Sequence, residues 1–179
     1  MLTDEAPILQ AVGVTKSFGA VTGCRNVDLQ LFPGEVLGIV GESGSGKSTL
    51  LRCLCGEHDV QSGQVTYSMR TGECADVHAM SVPERRMLMR TDWAFVHQNP
   101  RDGLRMGVSA GGNVGERLMA IGDRHYGNIR GTAIDWLEKV EMSASRIDDM
   151  PETFSGGMQQ RLQIARNLVT RPRLAFMDE

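Results

Sequence analysis

In NVDLQLF, residues 26–32, the apolar Val27, Leu29 and Leu31 alternate with Asp28 and Gln30. That is the period-two pattern of a strand with one buried face, and Pro33-Gly34 then turns the chain. EVLGIV, residues 35–40, is almost continuously apolar. It predicts a strand covered on both faces that runs straight into a glycine-rich loop. KSTLLRCLCG has helical composition and stops at Gly56, a suitable residue for a helix C-terminus. GQVTYS, residues 63–68, alternates again and predicts a returning strand.

The pattern then loosens over residues 70–90, apart from SVPERRMLMR, where Ser81 and Glu84 form a capping box for a short basic helix. Arg85, Arg86 and Arg90 on that helix read either as a solvated face or as a contact for phosphate or protein. From 108 to 150 the period becomes helical. Ile129, Ala133, Trp136 or Leu137, and Val140 recur on one face, which places the aromatic in a core rather than on a stacking platform. RPRLAFMDE, residues 171–179, reads as a buried strand that ends in two adjacent carboxylates. Strand, loop and helix, then a helical stretch, then another strand predict an α/β core carrying a helical subdomain.

Composition narrows the class without changing this picture. The chain has 179 residues, 41% of them hydrophobic and 23% charged, which suits one domain with a sizeable core. Its 21 glycines follow no repeat, so they mark loops of unusual geometry rather than a collagen-like fibre. A net charge of −3 supplies no general field for nucleic acid or anionic lipid, and a nucleic-acid partner is not expected. The chain shows neither a membrane-spanning apolar run nor the basic start and apolar centre of a signal peptide in MLTDEAPILQ, so a cytoplasmic location is expected. Cys24, Cys53, Cys55 and Cys74 lack zinc-ligand spacing, and reduced thiols are expected. His58, His78, His97 and His125 are scattered without ligand spacing.

Chemistry enters with GESGSGKST. Gly41, Glu42, Ser43, Gly44, Ser45, Gly46, Lys47 and Ser48 fit G-x-x-x-x-G-K-[ST] at every fixed position, and Thr49 continues the run. A loop wrapped around a polyphosphate needs glycines so that backbone N–H groups can approach, and the helix that follows aims its positive end at the anion. In this P-loop Lys47 is expected to neutralise the β- and γ-phosphates, and the Ser48 hydroxyl to coordinate Mg²⁺. A nucleoside triphosphate is therefore the expected ligand. In P-loop proteins a second buried strand ends in an aspartate that holds Mg²⁺, and LAFMDE offers Asp178 for that place. Glu179 beside it is then placed to accept a proton from an attacking water.

FSGGMQQR, residues 154–161, is a Ser-Gly-Gly turn that opens a helix. Its amides and the Ser155 hydroxyl suit a second anion, or Ser155 simply caps the helix. Together with the P-loop and the Asp-Glu strand, this stretch resembles the signature motif of ABC-type ATPases, usually LSGGQ, with Phe154 in place of Leu and Met158 in place of the first Gln. The resemblance extends from ILQAVGVTKSFGAV to FMDE. It implies a P-loop NTPase core with an N-terminal antiparallel β-subdomain and an inserted α-helical subdomain, divided at about 1–97, 98–153 and 154–179. It also implies Mg²⁺ and ATP as cofactors, with Gln98 of VHQNP as the glutamine that senses Mg²⁺ and the γ-phosphate. Phe18 of TKSFG becomes the aromatic that stacks on adenine, whereas as a lone aromatic it would read as core. Two such domains would pack head to tail, with Ser155, Gly156 and Gly157 of one facing the nucleotide of the other. A single protomer would then bind ATP but hydrolyse it poorly.

Within the family, HQNPRDGLRMGVSAGGNVGERLMAIGDRHYGNIR and RIDDMPETFSGGMQQRLQIARNLVTRPRLAFMDE resemble the ATP-binding subunits of carbon–phosphorus lyase systems. That resemblance implies soluble lyase core subunits as partners. The neighbouring alternative is the ATPase of a dipeptide, oligopeptide or phosphonate importer, with a membrane permease as partner. Family members continue past the paired acids with further strands and a switch histidine, so the expectation is a fragment, a truncated gene or an incomplete sequence. A nucleotide-binding module without turnover is a third reading. A P-loop kinase would leave FSGGMQQR without a role.

Overall fold

The computed structural model describes residues 6–178. The chain forms two compact units, Met1–Arg85 and Arg86–Glu179.

The first unit is built on a four-stranded antiparallel sheet in the order β2-β1-β3-β4, made of β1 (Leu9–Phe18), β2 (Val21–Leu31), β3 (Ser62–Ser68) and β4 (Cys74–Asp76). The β1–β2 hairpin closes through Gly19-Ala20, with Phe18 opposite Val21 and Gly19 at φ +60°, the left-handed geometry that two-residue hairpin loops require. The predicted alternation holds in β2: Val27, Leu29 and Leu31 are half-buried while Asp28 and Gln30 are exposed. Leu9, Ala11, Val14, Val65 and Tyr67 supply the buried side of the sheet. Helix α1 (Lys47–Leu54) packs against β1 and β2, burying Leu50, Cys53 and Leu54, and Gly56 follows it at φ +73°.

Residues 35–40 do not form the doubly covered strand that their composition predicts. Val36 and Val40 are 94% and 96% exposed, and the segment joins no ladder among the described residues. A strand is defined by its hydrogen-bonded neighbours, so apolar composition alone leaves such a segment irregular.

Helix α2 (Val82–Thr91) carries the boundary between the units. At its start the Glu84 carboxylate accepts from both the Ser81 N–H (2.7 Å) and the Ser81 hydroxyl (2.6 Å), a variant of the predicted capping box.

The second unit contains a parallel pair, β5 (Trp93–Val96) and β6 (Leu174–Met177), in the register Trp93–Leu174 through Val96–Met177. All of β5 is buried, whereas β6 buries Leu174 and Phe176 and exposes Ala175 and Met177, so the terminal strand is covered on one face. Four helices accompany the pair: α3 (Pro100–Gly103), α4 (Ala110–Ala120), α5 (Tyr126–Lys139) and α6 (Gly156–Leu168). The predicted face of α5 is observed: Ala133 and Leu137 are fully buried, with Ile129, Trp136 and Val140 packed around them against Val114, Leu118, Leu162 and Ala165. Buried Asn113 on α4 holds the preceding loop, donating to Arg105 O (3.0 Å) and Val108 O (2.8 Å) and accepting from Arg105 N (2.9 Å). These bonds satisfy an amide that would otherwise be costly in an apolar core.

Candidate functional site

The P-loop lies in the first unit. Gly44 and Gly46 adopt φ +79° and +93°, conformations that L side chains resist. Gly46 also lies against β2, where a Cβ would run into the Gly23 carbonyl oxygen, and a Cβ on Gly23 would in turn meet Thr49. Close approach of two backbones therefore fixes where the loop ends and α1 begins. Gly46 is the N-cap of α1 and offers no side-chain cap, and the first turn contains no carboxylate. The helix start thus carries neither a side-chain cap nor a carboxylate of its own, the arrangement that suits phosphate. Lys47 Nζ donates to the carbonyl oxygens of Gly41 (2.8 Å) and Glu42 (2.7 Å), so the ammonium rests inside the curl of its own loop. These features fit a polyphosphate: glycine geometry, an uncapped helix start and a cation at the loop's centre.

Phe18 ends β1 and is 49% exposed, so it is not a core aromatic. His58 meets it edge to face at 5.5 Å, and Lys16 Nζ lies 5.3 Å from its ring centroid while donating to Asp59 O at 2.7 Å. A ring held in this way suits a planar base.

The second unit carries the other motif residues. Gln98 follows β5 and Asp178 follows β6, so both leave the C-terminal edge of one parallel pair, where ligands of open α/β sheets bind. The Asp178 N–H donates to Val96 O at 2.9 Å, and Asp178 is only 9% exposed, whereas Gln98 is open to solvent. Glu179 lies outside the described residues.

Ser155 is the N-cap of α6, its Oγ accepting from Met158 N at 3.3 Å, so the capping reading is realised. Gly156 and Gly157 are exposed, and a Cβ on either would meet nothing within contact range. Packing among the described residues therefore does not require glycine at either position. Met158 packs partly against the helical core. Gln159 steadies the turn before the helix, donating to Pro151 O (2.9 Å) and Phe154 O (3.2 Å).

Two features escape a motif-based reading. Gln163, in mid-α6 and fully buried, pairs with both backbone groups of His97: Oε1 accepts from His97 N at 2.6 Å and Nε2 donates to His97 O at 3.0 Å. The sequence does not single it out, since α6 also carries Gln159, Gln160, Arg161, Arg166 and Asn167. The second is a cleft of about 290 Å³ lined by Arg86, Arg90, Arg117 and Arg166 with His97 and Asp102. The arginine cluster of α2 thus divides: Arg85 turns to Gly56 O and Asp59, each at 3.0 Å, while Arg86 and Arg90 face the cleft. Burial, and then the charges of Arg166 and Arg90, push the Arg117 guanidinium down to about 10, which leaves it protonated at neutral pH.

The ABC transporter family matches residues 24–179 of this sequence. The chain belongs to that family of ATPases. It is 58% identical over 173 residues to a putative phosphonates utilization ATP-binding protein, PhnK, of Escherichia coli (strain K12), covering 97% of this chain and 67% of that protein. It is 37% identical over 180 residues to the phosphonates import ATP-binding protein PhnC of Nocardia farcinica, covering 96% and 63%. The dimeric structure of MJ0796, a bacterial ABC transporter cassette, superposes with a TM-score of 0.87 at 27% identity, over 96% of this chain and 73% of that one. A dimeric post-hydrolysis state of MJ0796 bound to ADP and Pi gives 0.85 at 28% identity, over the same shares of the two chains. The fold is accordingly the α/β P-loop NTPase of ABC cassettes, with the antiparallel β-subdomain and helical subdomain that the sequence resemblance implies. The chain spans 67% of the length of the E. coli relative and 63% of that of the N. farcinica one, so it covers only part of these proteins.

Proposed function

We propose that this chain is the ATP-binding and ATP-hydrolysing part of a phosphonate-catabolism ATPase, which acts as a head-to-tail dimer on the core subunits of a carbon–phosphorus lyase. The 58% identity to the E. coli phosphonates utilization protein carries the phosphonate part of this reading. The dimeric cassettes, one of them bound to ADP and Pi, support the pairing and the reaction.

In this reading Gly41 to Thr49 cradle the phosphates, and Lys47 exchanges its loop carbonyls for β- and γ-oxygens. Phe18 would stack on adenine, and Ser48, Gln98 and Asp178 are the residues that would hold Mg²⁺. The ion neutralises charge on the β- and γ-phosphates when bound. Glu179 orients the attacking water and takes its proton. Ser155, Gly156 and Gly157 meet the partner protomer's nucleotide through their open backbone. Residues 98–153 act as a helical subdomain, joined to the Mg²⁺ site through Gln98.

A second reading is an importer ATPase, cytoplasmic and peripheral to a membrane permease, favoured by the phosphonates import relative. Affinity purification of the tagged full-length protein from cells grown on a phosphonate separates the two. Soluble lyase subunits in the eluate support the first reading, and a permease extracted by detergent supports the second. Recovery of neither contradicts both.

A further inference from the structure

We infer that Gln163 is a positioning residue that locks the Gln98 loop to the signature helix, so that the Mg²⁺-sensing glutamine and the Ser155–Gly157 turn move as one piece. The inference rests on the reading of Gln98 and Ser155 given above and adds the element that joins them.

A primary amide carries a donor and an acceptor side by side, and the N–H and C=O of one extended residue present the complementary pair. Gln163 uses that match on His97, the residue directly before Gln98, with bonds of 2.6 and 3.0 Å. The second hydrogen on Nε2 faces Gln160 Oε1 at 3.2 Å, which fixes the orientation of the amide. The Gln163 carbonyl oxygen meanwhile accepts from Asn167 Nδ2 at 3.0 Å, one turn further along the helix. The side chain is 0% exposed, so neither bond to His97 has water as a ready substitute.

The far side of the same loop closes on this amide as well. Gly103 ends α3, and a Cβ there would overlap Gln163 Oε1 and Cδ. The segment from His97 to Gly103, with Gln98 inside it, is therefore held at its start by hydrogen bonds to Gln163 and at its end by contact with it. Gln98 has a free side chain on a backbone anchored at both ends. Ser155 and Gly157 lie at the N-terminal end of the helix that provides the anchor, about two turns from Gln163.

The mutually supporting variants are Gln163→Leu, which keeps bulk but removes both bonds, and Gly103→Ala, which keeps the bonds' chemistry but pushes the amide aside. In the full-length protein each is expected to lower the maximal rate of ATP hydrolysis about tenfold. Each should also raise the half-saturating Mg²⁺ concentration several-fold while changing ATP affinity by less than about twofold. The double variant should be no slower than the worse single one, because both act on one contact. A purely structural role would lower the melting temperature and leave the Mg²⁺ dependence of the surviving enzyme unchanged.

Gln98→Ala measured alongside separates this inference from its premise. A slowed Gln98→Ala enzyme beside Gln163→Leu and Gly103→Ala enzymes of wild-type rate and Mg²⁺ dependence would overturn the inference alone. An unaltered Gln98→Ala enzyme would overturn the reading of Gln98 and the inference with it. Should Gln163→Leu fail to fold, Gly103→Ala decides by the same two readouts.

Discussion

Lys47 folds back onto the loop that precedes it, its Nζ 2.8 Å from the carbonyl oxygen of Gly41. A cation held by backbone carbonyls on a solvent-open loop is readily transferred to phosphate oxygens, whose charge makes the stronger partner. Lys47→Ala is expected to weaken ATP binding by about 3 kcal/mol, roughly a hundredfold in Kd, as measured by calorimetry with the full-length protein. Binding at wild-type affinity would remove Lys47 from the phosphate site.

Gly46 and Gly72 share a positive φ, +93° and +87°, but differ in their surroundings. A Cβ on Gly46 meets backbone on β2, and one on Gly72 meets nothing. Gly72→Ala should therefore cost about 1–2 kcal/mol, the conformational term alone. Gly46→Ala should cost more and also lose ATP binding, because the loop cannot reach β2. Denaturant melts of the two variants, read with ATP titrations, check the difference.

Two buried thiols and a half-buried imidazole of the first unit set a pH window. Burial raises the Cys53 and Cys55 thiols from 9.0 to about 12. The unfolded chain then releases these protons first, so their contribution is intact below about 9 and is lost as pH rises toward about 12. Burial pushes His78 below its ordinary 6.5, outweighing the opposing pull of Cys53 O and Asp76. The unfolded state takes up that proton first on acidification, so the His78 contribution is present above 6.5 and is lost below it. Melting temperature against pH should thus decline on both sides of the 6.5–9 interval. In the native protein at pH 8, exposed Cys74 should react with a thiol reagent well before buried Cys24, Cys53 and Cys55.

Leu137 is fully buried at the centre of the helical core. Leu137→Ala should destabilise the protein by about 2–5 kcal/mol, read from the denaturant midpoint. A smaller effect would mean that α5 is not packed as described.

Much of this was legible because it is local. The alternation in β2, the apolar face of α5, the Ser81–Glu84 pair and the glycine pattern of the P-loop depend on residues close in sequence, where periodicity and steric demand act directly. EVLGIV was misread because a strand needs neighbours, and its composition cannot report whether a ladder is present. The capping role of Ser155 and the motif reading were both open, and the structure shows the cap without removing the open glycine face beside it. Gln163 stayed hidden for the opposite reason: its partner is 66 residues away, and one glutamine among the several polar residues of α6 carries no spacing to read.

Glu179 carries the central claim, that this chain contributes a hydrolytic site rather than a binding module. The direct measurement is phosphate release by the full-length Glu179→Gln protein with ATP and Mg²⁺, alongside its mass by light scattering. The account predicts retained ATP binding, turnover reduced about a hundredfold or more, and a dimer that persists with ATP. Normal turnover in that variant would contradict it.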